Sequence, residues 1–184
     1  MNAVSLSNQR LSSRCAVAPL PGELARDGML AGLLGGMAMT TIGVLLALSY
    51  GYDVWVPVKA LGSLVLGPAA LVQAGFVAGP VFAGLLIHLV VAALLGAIFG
   101  IVTRRFWRLP SDFGVPAVSG LVFGLLVWLV AYLTMPTLLP QLLVITAPAF
   151  IIQHVAYGTL TSLVLAKLRP QPYALTDERR AADA

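Results

Sequence analysis

The stretch Pro80–Val102, PVFAGLLIHLVVAALLGAIFGIV, carries no formal charge and is followed at once by Thr103, Arg104 and Arg105. A helix of this length, rising about 1.5 Å per residue, crosses a hydrocarbon core of about 30 Å. Its apolar residues run on without alternating, which selects a helix over a barrel strand. Only helices and closed barrels satisfy the backbone in lipid.

Three more stretches read the same way: Gly28–Tyr50, Pro116–Met135 and Leu143–Ala166. Every Lys, Arg, Asp and Glu lies outside the four. The whole chain is 59% hydrophobic and 10% charged, with a mean hydropathy of +0.95. A soluble domain carries about 25% charged residues, so this chain lacks the side chains to cover a water-facing surface. The expected fold is an all-α membrane protein, a bundle of four transmembrane helices. Met1–Asp27 and Leu168–Ala184 read as polar tails, and the membrane domain as residues 28–167.

The basic residues set the expected orientation. Arg10, Arg14 and Arg26 precede the first span, Arg104, Arg105 and Arg108 separate the second from the third, and Lys167, Arg169, Arg179 and Arg180 follow the fourth. Of the eleven Lys and Arg, Lys59 alone falls on the other side. That bias predicts both termini in the cytoplasm. The basic pI reports topology and contact with anionic lipid rather than nucleic acid, for which no basic-aromatic pattern exists. No apolar run precedes Met29, and the first span is too long for a signal-peptide core, so no cleavage is expected. Cys15 is the only cysteine, which excludes an intrachain disulfide.

The first outer loop, Asp53–Gly79, is long and largely apolar but broken by Pro57, Gly67-Pro68 and Gly79-Pro80. Two courses suit it. One is a short interfacial helix with Trp55 as headgroup anchor; the other is a re-entrant piece.

The two halves match each other. Gly32, Leu33, Gly36 and Leu45 recur at one constant offset as Gly120, Leu121, Gly124 and Leu133, and Ala83, His88 and Leu94 recur at another as Ala149, His154 and Leu160. The reading is two tandem hairpins related by an axis along the membrane normal. Stripes of small residues at four-residue spacing support close helix packing: Gly32 and Gly36; Gly84, Ala92, Gly96 and Gly100; Gly120 and Gly124; Gly158 and Ser162.

His88 and His154 are the intramembrane residues that invite a function. Each falls about 12–16 Å below the outer surface, and ionisable groups at such depth face the bundle interior. Thr40, Thr41, Tyr157 and Thr161 are the expected polar partners. In the structural reading each imidazole bonds a Thr, a Tyr or a backbone carbonyl of a neighbouring helix. The protein is then a non-enzymatic accessory component of a membrane complex, packed against other membrane subunits or itself. A second reading makes the two imidazoles axial ligands of a haem b; it meets few partners for the propionates, and little room if the small stripes stay in contact. A third is a small transporter or proton conductor, which lacks a membrane carboxylate or Arg to couple an ion. No metal site is expected, because zinc wants about four ligands. No GxSxG, P-loop, HExxH or CxxC is present, so no enzyme is expected.

Several of these features together, the Gly-rich first span, Trp55-Val56 before a proline, His88, Gly120 with Trp128, and His154-Val155-Ala156-Tyr157-Gly158, resemble a loose group of small bacterial inner-membrane proteins of unknown function. The resemblance covers about Gly28–Lys167. It implies a four-span architecture in a bacterial inner membrane and no activity.

Overall fold

The computed structural model describes residues 20–112, 114–138 and 147–171. Helix α1 runs Pro21–Ser49, α2 Val56–Leu66, α3 Ala78–Ile101, α4 Val115–Leu138 and α5 Ala147–Leu168. A 3-10 turn, Pro68–Leu71, follows α2, and a π turn, Val102–Phe106, ends α3. Helices α1, α3, α4 and α5 are each long and apolar enough to span a bilayer. The chain is an all-α, four-helix integral membrane protein.

Helix α1 begins seven residues before the expected start of the first span. Pro21 suits the first helical turn, because its missing N–H has no intrahelical partner there, and Glu23 favours the same turn through the helix dipole. The segment Pro21–Asp27 is therefore helix rather than tail. Its anchor is electrostatic: buried Asp27 accepts from Arg169 Nε beyond the end of α5, and Glu23 pairs with Arg169 at 3.4 Å. Cys15 and the outer part of each tail lie outside the described residues, as do residues 139–146, which include the start of the fourth expected span.

Neighbouring helices α1 and α3 run antiparallel, as do α4 and α5, and α5 also lies along α1. Close backbone approach explains the pairs. A Cβ on Gly32 would stand 2.9 Å from Gly96 Cα, and one on Gly36 2.7 Å from Ala92 Cβ. Gly96 meets Gly28 and Gly32, and Gly100 meets Leu24 and Gly28. In the other pair, a Cβ on Gly120 would stand 2.6 Å from the Gly158 carbonyl and 2.8 Å from Ser162 Cβ, while Gly124 faces His154 and Val155. Ser162 adds a hydrogen bond to Ser119 at 3.1 Å. Gly84 serves a different contact from its stripe-mates, since it meets Val58 and Gly62 of α2. Two glycines outside the stripes carry the α1–α5 contact: Gly35 against Tyr157 and Thr161, and Gly43 against Gln153.

The segment between α1 and α3 packs against the bundle rather than standing away from it. Val58 meets Gly84 and Gly62 meets Pro80, so α2 runs antiparallel along the start of α3 instead of lying across the end of the bundle. Trp55 packs edge-on to Phe76 at 5.0 Å. Lys59 is 1% exposed. Its ammonium bonds the Gln73 carbonyl at 2.7 Å, the Gly75 carbonyl at 3.0 Å and Asp53 at 3.5 Å. Asp53 in turn accepts the Trp55 and Gly75 N–H groups. These backbone donors, Trp55 first, and the Lys59 charge hold its carboxyl below the usual carboxylate range.

Arg26, Arg104, Arg105, Arg108, Lys167 and Arg169 all fall at one end of the bundle, here called the basic end. The tight apolar core, Ala31, Phe99 and Leu165 with Phe123 and Val164 against it, lies in the half nearer that end. The far half is built differently.

Candidate functional site

In the far half the helices part. The small stripes hold α1 against α3 up to Gly36 and Ala92, and α4 against α5 up to Gly124 and His154. Past those points Thr40, Val44, Val127 and Val130 face open space. The result is a cavity of about 650 Å³ walled by all five helices. Its sides are aliphatic: Val58 and Leu61 from α2, Ile87 and Val91 from α3, Leu126 and Val130 from α4. Phe123 and Tyr157 close it toward the basic end, where Phe123 stacks on Phe99 at 4.4 Å.

Six polar side chains line it: Thr40, His88, Thr134, Gln153, His154 and Tyr157. The structure thus brings both histidines to one space. His88 Nε2 donates to the Gly36 carbonyl of α1 at 3.2 Å. His154, 5% exposed, donates from Nδ1 to the Phe150 carbonyl of its own helix at 2.8 Å and sits edge-on to the Phe150 ring. Because a carbonyl can only accept, these bonds assign the proton to Nε2 of His88 and Nδ1 of His154. In each neutral ring the other nitrogen keeps a lone pair, and among the described residues nothing bonds it.

The expected polar partners do not bond the imidazoles. Thr40 donates to the Gly36 carbonyl, Thr41 to Met37, and Thr161 to Tyr157, each four residues back on its own helix. In a membrane helix this back-bonding satisfies a hydroxyl with no outside partner. Thr41 faces outward, and Thr161 is buried against Gly35. Tyr157, 2% exposed, instead ties α5 to α3 by donating to the Ala92 carbonyl at 2.8 Å. No protein-family model, curated protein or solved structure matches the chain.

Sequence reasoning missed the cavity itself and the part that Phe123 plays in it. One signal pointed there: the stripes on α1 and α4 lose glycine after Gly36 and Gly124, where the same spacing reaches Thr40 and Val44 on α1 and Trp128 and Tyr132 on α4. Among the described residues no group of three or more His, Cys, Asp or Glu could hold a metal.

Proposed function

We propose that this chain is a non-enzymatic membrane component that holds a lipid-soluble ligand drawn from the bilayer. The observation that carries this reading is the five-helix cavity, mostly aliphatic on its walls, with both imidazoles among its six polar side chains. Its volume falls within the range of about 300–1,000 Å³ typical of small-molecule sites, and mostly apolar walls with a few convergent polar groups are the usual make-up of such sites. Entry follows from the packing. Helices α3 and α4 share no extensive backbone contact. Val91 on α3 and Leu126 and Val130 on α4 line the cavity yet stay about half exposed. In a bilayer that seam faces lipid.

The setting belongs to the same proposal. Clustering of the basic side chains at one end supports cytoplasmic termini, and the resemblance to small bacterial proteins supports an inner membrane. Equivalent contacts in the two helix pairs, Gly32 on Ala92 and Gly96, Gly120 on Gly158 and Ser162, support descent from a duplicated hairpin. The test is native mass spectrometry of protein released from mild detergent. A retained adduct of one ligand per chain is expected, lost when Val91→Trp and Leu126→Trp fill the space. A bare chain under all conditions contradicts the reading.

One observation favours haem b as a second reading. His154 donates Nδ1–H to a backbone carbonyl, the posture in which imidazoles present Nε2 to a metal. The cavity also supplies the room that continuous helix contact would deny. Against it, His88 has its Nε2 on Gly36, and Lys59 is consumed by Asp53 and two carbonyls. A stoichiometric Soret band lost in His154→Ala would establish haem; its absence leaves the lipid-soluble ligand.

A further inference from the structure

We infer that the cavity selects a neutral, hydroxyl-headed amphiphile, such as an isoprenoid alcohol, over carbonyl- or ether-headed molecules of the same shape. This rests on the ligand-holding reading above and specifies its chemistry.

Hydrogen-bond capacity around the six polar side chains is one-sided. His88 and His154 both line the cavity, and each has committed its one proton to a backbone carbonyl and keeps a lone pair on its other nitrogen. Thr40 has committed its hydroxyl proton to Gly36, Tyr157 to Ala92, and Thr134 to Val130 and Ala131. Their oxygens remain acceptors. Among the six, only the Gln153 amide still has N–H groups to give. The polar part of the cavity is therefore rich in acceptors and nearly without donors.

A ligand head that only accepts, a ketone, ester or ether, finds one side chain to bond and leaves its own oxygen desolvated beside lone pairs. A hydroxyl gives its proton to an imidazole nitrogen and can take one from Gln153. Sites built to bond a donor discriminate strongly against analogues that lack it, because buried polar groups are then left unpaired. An ammonium head also donates. Its charge near the bilayer centre, with no carboxylate lining the cavity, makes it the costlier guest. The apolar walls and the lipid-facing seam then take an aliphatic tail.

The test uses the full chain purified in mild detergent, with tritiated farnesol as probe and unlabelled farnesol or farnesyl methyl ether as competitor. The ether matches the alcohol in shape but has no proton to give. The alcohol is expected to compete at least tenfold better, and His88→Leu or His154→Leu to shrink that ratio below threefold. Equal competition by the two compounds would overturn the selectivity and leave the ligand-holding reading standing. Absence of saturable farnesol binding, with no competitor of either kind displacing a retained ligand, would overturn both. If a leucine variant fails to fold, the wild-type ratio still decides, and a full ratio retained in both folded variants counts against the imidazoles as the acceptors.

Discussion

His88 of α3 and Gly36 of α1 are joined by a hydrogen bond from the imidazole to the carbonyl, at 3.2 Å, and the Thr40 hydroxyl donates to the same oxygen at 3.0 Å. That carbonyl belongs to the last glycine of α1 whose added Cβ would meet α3. The bond thus serves two purposes: it ties α1 to α3, and it fixes which imidazole nitrogen keeps the proton.

Loss of this tie is measurable. His88→Leu and Tyr157→Phe each remove one bond between helices, and such bonds are worth about 0.6–2 kcal/mol in membrane proteins. Unfolding in mixed micelles by denaturing detergent is expected to show a loss in that range for each variant. Neutral variants would mean that the glycine seams alone set the packing.

The seams themselves make a sharper prediction. A Cβ at Gly124 would stand 2.9 Å from Val155 Cα and crowd the His154 backbone, atoms that cannot turn aside. Gly124→Ala is expected to cost at least the 1–3 kcal/mol, roughly, of an overpacked core. Gly79→Ala, whose Cβ meets nothing within 4 Å, is the control and should be neutral. Thermal stability of the two variants in one detergent checks both.

Much of this fold was legible in the sequence, because four long apolar runs bare of formal charge are soluble in lipid and not in water. The boundaries were less so. Pro21–Asp27 looks like a tail until Arg169, far along the chain, is known to sit beside Asp27. The role of Gly35 was hidden because it lies on a different face of α1 from Gly32 and Gly36, and a single stripe search finds one face at a time. The equal standing of His88 and His154 could be read from spacing, but their bonds to backbone carbonyls depend on rotamers. The cavity depends on how far helices splay, which is a property of pairs rather than of any one segment.

The clamp on the first outer loop should respond to pH and to mutation in a defined order. Asp53 is held below its ordinary value, so its contribution is present above about pH 4 and lost as pH falls through its folded-state value. Asp53→Asn leaves the Lys59 ammonium buried with two carbonyls and no counter-charge, at a cost of about 3 kcal/mol, the low end for a broken buried pair. Lys59→Met leaves a carboxylate that is partly exposed and still bonded to two N–H groups, so it should cost less. Protease sensitivity of the loop between Asp53 and Gly75, followed from pH 7 to pH 3, reports both effects; the reverse order of the two variants would refute the clamp.

Orientation has its own check. Reporter fusions after Arg108 and after Arg169 are expected on the cytoplasmic side, with a fusion after Gly67 on the other. Opposite sides for the first two would break the pairing of hairpins.

The ligand's location is tested most directly by light-driven crosslinking. A farnesol analogue with a diazirine in its tail, added to the protein in native vesicles and mapped by peptide sequencing, is expected to mark Val91, Leu126 and Val130 along the α3–α4 seam and Leu61 of α2. Adducts confined to Phe82, Leu86 and Leu133, which stand on the bundle's exposed surface away from the cavity, would contradict a ligand held inside.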